Sequence, residues 1–132
     1  MELNKYQEQA MTTCMESSNN FSYMFLNLVG EIGEFASKVA KDIRKETMSI
    51  TQNKAYYWEK TQEREEELMG EAGDVLWQLA GLCKVMGWSL EEVAQKNLNK
   101  LAARKLAGTI NGRGDGISGD GRQSYDGSTG CK

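Results

Sequence analysis

Two stretches of this sequence carry the same arrangement of acids and glycines: Gly30-Glu31-Ile32-Gly33-Glu34-Phe35 and, forty positions on, Gly70-Glu71-Ala72-Gly73-Asp74-Val75. Each sets two carboxylates three residues apart inside an apolar pattern of helical period. On an α-helix, positions i and i+3 lie about one turn apart on one face, so each copy presents a carboxylate pair in a single direction. Two such helices face to face make a cage of Glu31, Glu34, Glu71 and Asp74. Four like charges cannot all stay ionised at close quarters without a cation. All-oxygen ligands select a hard ion, Mg²⁺ or Mn²⁺, held by a few acids while substrate phosphates and water complete the octahedron. The chain has no histidine, which removes the Glu-x-x-His pairs of di-iron bundles and the imidazoles of most catalytic zinc sites.

In a chain with 19 acidic residues, a single Glu-x-x-Glu is ordinarily a solvated surface pair. Two features set these copies apart. Glycine inside a helix costs about 1 kcal/mol relative to alanine, and Gly30, Gly33, Gly70 and Gly73 all bear that cost beside the acids. Their missing side chains let helices approach closely or leave room for ions and phosphates. The apolar order flanking the acids also matches between the copies.

The elements that must position these acids are helices. Leu3 to about Met15 is a first helix, with Leu3, Tyr6, Ala10, Met11 and Cys14 on one face. Ser17-Ser18-Asn19-Asn20 is a loop that supplies the cap of the next. From about Phe21 to Ile43, Phe25, Leu28, Ile32, Phe35, Val39 and Ile43 recur at spacings of three and four and form one stripe. Glu31 and Glu34 lie at its edge, with Lys38 beside them. The connection from roughly Arg44 to Thr61 has no glycine or proline to punctuate it, which allows partial helix without fixing its shape. Its aromatics, Tyr56-Tyr57-Trp58, either pack on the end of the bundle or stack on a base. A third helix, about Gln62 to Met86, opens with a solvated acid run at Glu63, Glu65, Glu66 and Glu67 that suits the helix dipole. Its stripe is Leu68, Val75, Leu79, Leu82 and Met86, with Glu71 and Asp74 at the margin. Gly87 ends it, and Ser89-Leu90-Glu91-Glu92 is a capping box for a fourth helix to Leu106. There Val93, Leu98, Leu101 and Ala102 face inward and Lys96, Lys100, Arg104 and Lys105 outward.

The chain of 132 residues, 39% apolar, has room for one domain. Residues 1–107 form it, and the glycine-rich stretch 108–132 is a tail that buries too little apolar surface to offset its ordering entropy. A net charge of −3 argues against a nucleic-acid polymer as partner, because such a partner needs a basic face. No run approaches the roughly 18 apolar residues of a membrane span, and the polar start is no signal peptide. The expected location is the cytoplasm. The 3 cysteines, Cys14, Cys83 and Cys131, have no metal-ligand spacing and suit reduced thiols.

The combination of Leu28-Val29-Gly30-Glu31-Ile32-Gly33-Glu34 with Glu71-Ala72-Gly73-Asp74-Val75-Leu76-Trp77 resembles the MazG-like members of the all-α nucleoside triphosphate pyrophosphohydrolases. The likeness extends to Tyr6-Gln7 and Ala10, and to Ser89-Leu90-Glu91-Glu92-Val93-Ala94 followed by Asn97, Lys100 and Arg104. It covers roughly residues 3 to 107. The resemblance implies an all-α, four-helix MazG-like bundle that forms a homodimer or homotetramer, with Mg²⁺ held by Glu31, Glu34, Glu71 and Asp74. It also implies hydrolysis of a nucleoside triphosphate between the α- and β-phosphates to the monophosphate and pyrophosphate. Many relatives carry a tyrosine soon after the tryptophan of the second motif; here Gln78 stands there.

A triphosphate beside four carboxylates calls for metal ions and cationic side chains. Lys100, with Arg104 a turn on, is the expected cation, and Asn97 shares that face. Lys38 is a further candidate substrate contact. Glu34, with Glu31, is the expected catalytic acid pair, Glu34 orienting or deprotonating a water. Trp77 either packs between subunits or stacks on a base. Phe21, Phe25, Trp58, Trp77 and Trp88 lie beyond one stripe, which suggests surface needing a second copy. The competing expectation is a helical dimerisation or regulatory module that binds metal or nucleotide without turnover.

Overall fold

The computed structural model describes residues 1–50, 55–57 and 61–108, with the backbone alone at 49, 50, 55–57 and 61. In chain order it has α1 (Leu3–Met11), a 3-10 turn (Glu16–Ser18), α2 (Phe21–Arg44), β1 (Met48–Ile50), β2 (Ala55–Tyr57), α3 (Thr61–Val85) and α4 (Leu90–Leu106). Four helices make the body, as expected for an all-α chain. The expectation for the tail concerns 109–132 and lies outside the described residues, as does Trp58.

Local chemistry sets the helix ends. The hydroxyls of Thr12 and Thr13 donate to the carbonyls of Gln9 and Ala10 at 2.6 and 2.7 Å. These side-chain bonds compete with the helix ladder, so α1 stops at Met11 rather than Met15. Asn20 is extended, and its Oδ1 accepts from the backbone N–H of Tyr23 at 2.9 Å, the expected cap of α2. At the other end Glu46 adopts a left-handed φ of 57°, and Thr47 N–H reaches back to Asp42 O at 3.0 Å. Gly87 makes the same closure for α3 at φ 72°, with Trp88 N–H on Cys83 O at 2.8 Å.

The connection departs from the partial helix that its sequence allows. Met48 pairs with Tyr57 and Ile50 with Ala55 in an antiparallel ribbon. Ile50, Tyr56 and Tyr57 are residue types that favour a pleated ribbon; spacing alone does not separate that from a short helix. β1 lies along α2 and β2 along α3.

Met1–Leu90 and Glu91–Lys132 form two units. In the first, α2 and α3 pair antiparallel and α1 lies on α3. The buried apolar residues are Met11, Met24, Met48, Ala80, Cys83 and Leu90, a core rich in methionine. The closest approach is at Gly81, where a Cβ would stand 2.7 Å from Met24 Cε and 3.5 Å from Met11 Sδ. Gln7 fastens α1 to the far end of α3: its Nε2 donates to Ala80 O and Trp88 O, both at 3.1 Å, and its Oε1 accepts from Leu90 N–H at 2.9 Å. That last bond satisfies one of the free N–H groups at the start of α4.

The apolar stripe of α2 is not where the sequence pattern put it. Phe25, Ile32 and Ile43 are 48%, 52% and 45% exposed, and the fully buried residues of α2 are Met24 and Asp42. The same face carries Phe21, stacked on Phe25 at 5.6 Å, and exposed Val29. Helical periodicity identifies which face is apolar, not which body covers it. Met86, expected on the stripe of the third helix, lies just past the end of α3 and is likewise exposed, and in the second unit Leu98 and Leu101, expected inward on α4, are exposed.

Candidate metal and nucleotide site

The face that α2 turns to α3 carries, besides buried Met24, a row of polar pairs. From one end to the other it pairs Asn27 with Gln78, Lys38 with Glu71, and Asp42 with Arg64 at 3.8 Å. Glu31 and Glu34 from α2 and Glu71 from α3 each bring a carboxylate oxygen to within 4.8 Å of the others. Glu71 is buried, Glu31 half-buried and Glu34 exposed, so the cluster is closed on one side and open on the other.

Asp74, the fourth expected acid, stands outside that three-residue cluster but within electrostatic reach. Its charge acts on Glu31 and on the Tyr6 hydroxyl. Glu31 is held above the usual carboxylate range, first by burial and then by the like charges of Glu34, Asp74 and Glu71, against the hydrogen bond from Asn27. Tyr6 is raised by burial and by Asp74. A carboxyl such as that of Glu31, held back from ionising by burial and by like charges, is what a cation would relieve.

The donor set fits a hard divalent ion. Ligand oxygens of octahedral Mg²⁺ lie roughly 2.1 Å from the ion and so at most about 4.2 Å from one another. The cluster's oxygens, within 4.8 Å of one another, are gathered on that scale. Lys38 Nζ makes an ion pair with Glu71 Oε1, and this hydrogen bond raises the ammonium above the ordinary lysine value. A cation from the chain itself thus sits on one of the acids.

Among the described residues, the glycines beside the acids meet no closely packed helix. A Cβ at Gly33, Gly70 or Gly73 would meet nothing within 4 Å, and at Gly30 only the side chain of Asn27 at 3.5 Å. Of the two purposes expected for them, the space remains and the close approach falls to Gly81. Trp77 donates its indole N–H to Ala10 O and Thr13 Oγ1, both at 3.0 Å, which fixes α3 to the end of α1. Asn97, Lys100 and Arg104 belong to the second unit, where the helical period sets them on one face of α4.

Two residues that the acid spacing did not single out join the site. Asn27 stands one turn before Glu31 and donates to its Oε1 at 2.9 Å, and Gln78 stands one turn after Asp74. Glu31 and Asp74 therefore each have an amide four residues away on their own helix, a spacing readable in the sequence once the acids are known.

The model of the MazG nucleotide pyrophosphohydrolase domain matches residues 19–107. The chain is 41% identical over 100 residues to Gene 37 protein of Mycobacterium phage L5, across 76% of this chain and 79% of that protein. No solved structure matches the chain. With the match spanning α2, α3 and α4 and every one of the paired acids, the chain belongs to the MazG nucleotide pyrophosphohydrolase domain family.

Proposed function

We propose that the chain hydrolyses a nucleoside or deoxynucleoside triphosphate between the α- and β-phosphates, releasing the monophosphate and pyrophosphate, with Mg²⁺ or Mn²⁺ as cofactor. The observation that carries this is the convergence of Glu31, Glu34 and Glu71 from two helices within 4.8 Å, inside a nucleotide pyrophosphohydrolase domain. Asp74, a turn beyond Glu71, completes the ligand set. Held by these acids, a divalent ion would supply charge neutralisation for the phosphates and acidity for a water.

The protein's own groups do the rest. Glu34, the exposed member of the cluster, orients the attacking water and takes its proton, with Glu31 beside it. Lys100 and Arg104 meet the negative phosphates and Asn97 a phosphate or ribose oxygen. Lys38 exchanges Glu71 for a phosphate oxygen when substrate arrives. Glu71 and Asp74 are ligands rather than proton carriers.

The exposed row Phe21, Phe25, Val29 and Ile32 on α2 supports a homodimer or homotetramer as the working form, since contiguous apolar surface of this kind favours a partner. No described helix is long and apolar enough to cross a membrane.

Incubation with each of the eight common triphosphates and Mg²⁺ tests the proposal. Monophosphate plus pyrophosphate from at least one of them supports it. A diphosphate and inorganic phosphate would mean a different bond is cut, and binding without product would mean a module that does not turn over.

A further inference from the structure

We propose that Asn27 and Gln78 are positioning residues that lock one oxygen of Glu31 and so preset the carboxylate cluster for its divalent cation. This rests on the pyrophosphohydrolase function proposed above. Gln78 is only 1% exposed, on a helix whose neighbouring positions Val75, Leu79 and Leu82 are apolar. Burying a primary amide there is costly unless each end is hydrogen-bonded, and both ends are. Its Nε2 donates to Met24 O at 3.2 Å and to Met24 Sδ at 3.1 Å, and its Oε1 accepts from Asn27 Nδ2 at 3.0 Å.

The polarity of this chain of bonds is fixed from the backbone outward. A carbonyl oxygen can only accept, so Met24 O sets the Gln78 amide with its nitrogen inward and its oxygen toward Asn27. Asn27 must then present its NH₂ group. One hydrogen goes to Gln78 Oε1 and the other to Glu31 Oε1 at 2.9 Å. A flip of either amide would set oxygen against oxygen or leave a buried donor without an acceptor. The backbone of α2 thus dictates, through two side chains and across the helix interface, which Glu31 oxygen is tied down. The other remains for a cation. Hydrogen-bond partners of metal ligands act in this way, and their loss typically weakens metal affinity about 10–100-fold.

The test is Mn²⁺ binding, read from loss of the free-ion EPR signal, in wild type, Gln78→Met and Asn27→Leu, each also combined with Glu31→Gln. Circular dichroism reports folding of every variant. Methionine matches the length of Gln78 without its amide, and Asn27 is only half-buried, so Asn27→Leu decides the question alone if Gln78→Met fails to fold. The expected result is a roughly tenfold or greater loss of Mn²⁺ affinity for each variant, and little additional loss from either once Glu31→Gln is present. Unchanged affinity, or an equal loss with and without the Glu31 carboxylate, overturns the positioning role while leaving the proposed function intact. A folded wild type that takes up no Mn²⁺ overturns both.

Discussion

Lys38 of α2 holds Glu71 of α3, a member of the carboxylate cluster, in an ion pair. The ammonium occupies ground that a divalent cation also seeks, so the two compete. Lys38→Met is expected to tighten Mn²⁺ binding by a few-fold and to raise the KM for nucleotide, because the freed ammonium is the group offered to phosphate. Calorimetric titration with Mn²⁺ and steady-state kinetics check the two signs separately. Weaker Mn²⁺ binding would show that Lys38 supports the site instead of guarding it.

The glycines divide into two kinds. At Gly70 and Gly73 a methyl group would meet nothing within 4 Å, so alanine there is expected to stabilise the fold by up to about 1 kcal/mol through helix propensity. Gly81→Ala is expected to destabilise by up to about 2 kcal/mol, since overpacking of this kind costs typically about 1–3 kcal/mol against the same propensity gain. Met24 has no room to yield: it is fully buried, and its Sδ accepts from Gln78. Chemical denaturation of the three variants gives both signs.

Trp77 offers a separate test of its role. Its N–H bonds to Ala10 O and Thr13 Oγ1 are lost in Trp77→Phe, which keeps an aromatic face. A net hydrogen bond is worth about 1 kcal/mol, so the melting temperature is expected to fall while KM for nucleotide stays unchanged. A KM that rises severalfold without loss of stability would place the ring on the nucleobase.

Cys83 gives a pH dependence. It is 2% exposed, and burial pushes its thiol above the ordinary value. In the range between the unfolded and folded pKa the unfolded chain binds fewer protons than the native one, so stability falls as pH rises. The stabilising contribution is full below the ordinary thiol range and is lost as pH climbs through the folded value. A Cys14→Ser, Cys131→Ser double variant is expected to show no thiol reactive toward a disulfide reagent when native and one when denatured. Prompt reaction in the native state would contradict the burial.

The gathering of Glu31, Glu34 and Glu71 was legible because helix geometry is local, whereas the fourth expected acid, Asp74, stands outside that cluster. Glu31 and Glu34 need only the i, i+3 relation to share a face, and the repeat at Glu71 and Asp74 told which two helices to bring together. The Asn20 cap and the Gly87 terminator were readable for the same reason. Phe25, Ile32 and Ile43 were misplaced because helical periodicity marks which face is apolar, not whether the chain's own helices cover it. The ribbon at Met48–Ile50 and Ala55–Tyr57 depends on pairing between strands, which no helical or alternating pattern in so short a run announces. Gln78 was noticed as a departure, but its partnership with Met24 and Asn27 required the antiparallel register of α2 and α3.

The most direct measurement is pyrophosphate release with Mg²⁺ by wild type and by Glu71→Gln, over the full set of triphosphates, with helicity and melting followed in parallel. The expected result is monophosphate and pyrophosphate from the wild type and a folded, helical Glu71→Gln protein that makes neither. Turnover by Glu71→Gln at the wild-type rate would contradict the proposal that these acids gather to hold the catalytic metal.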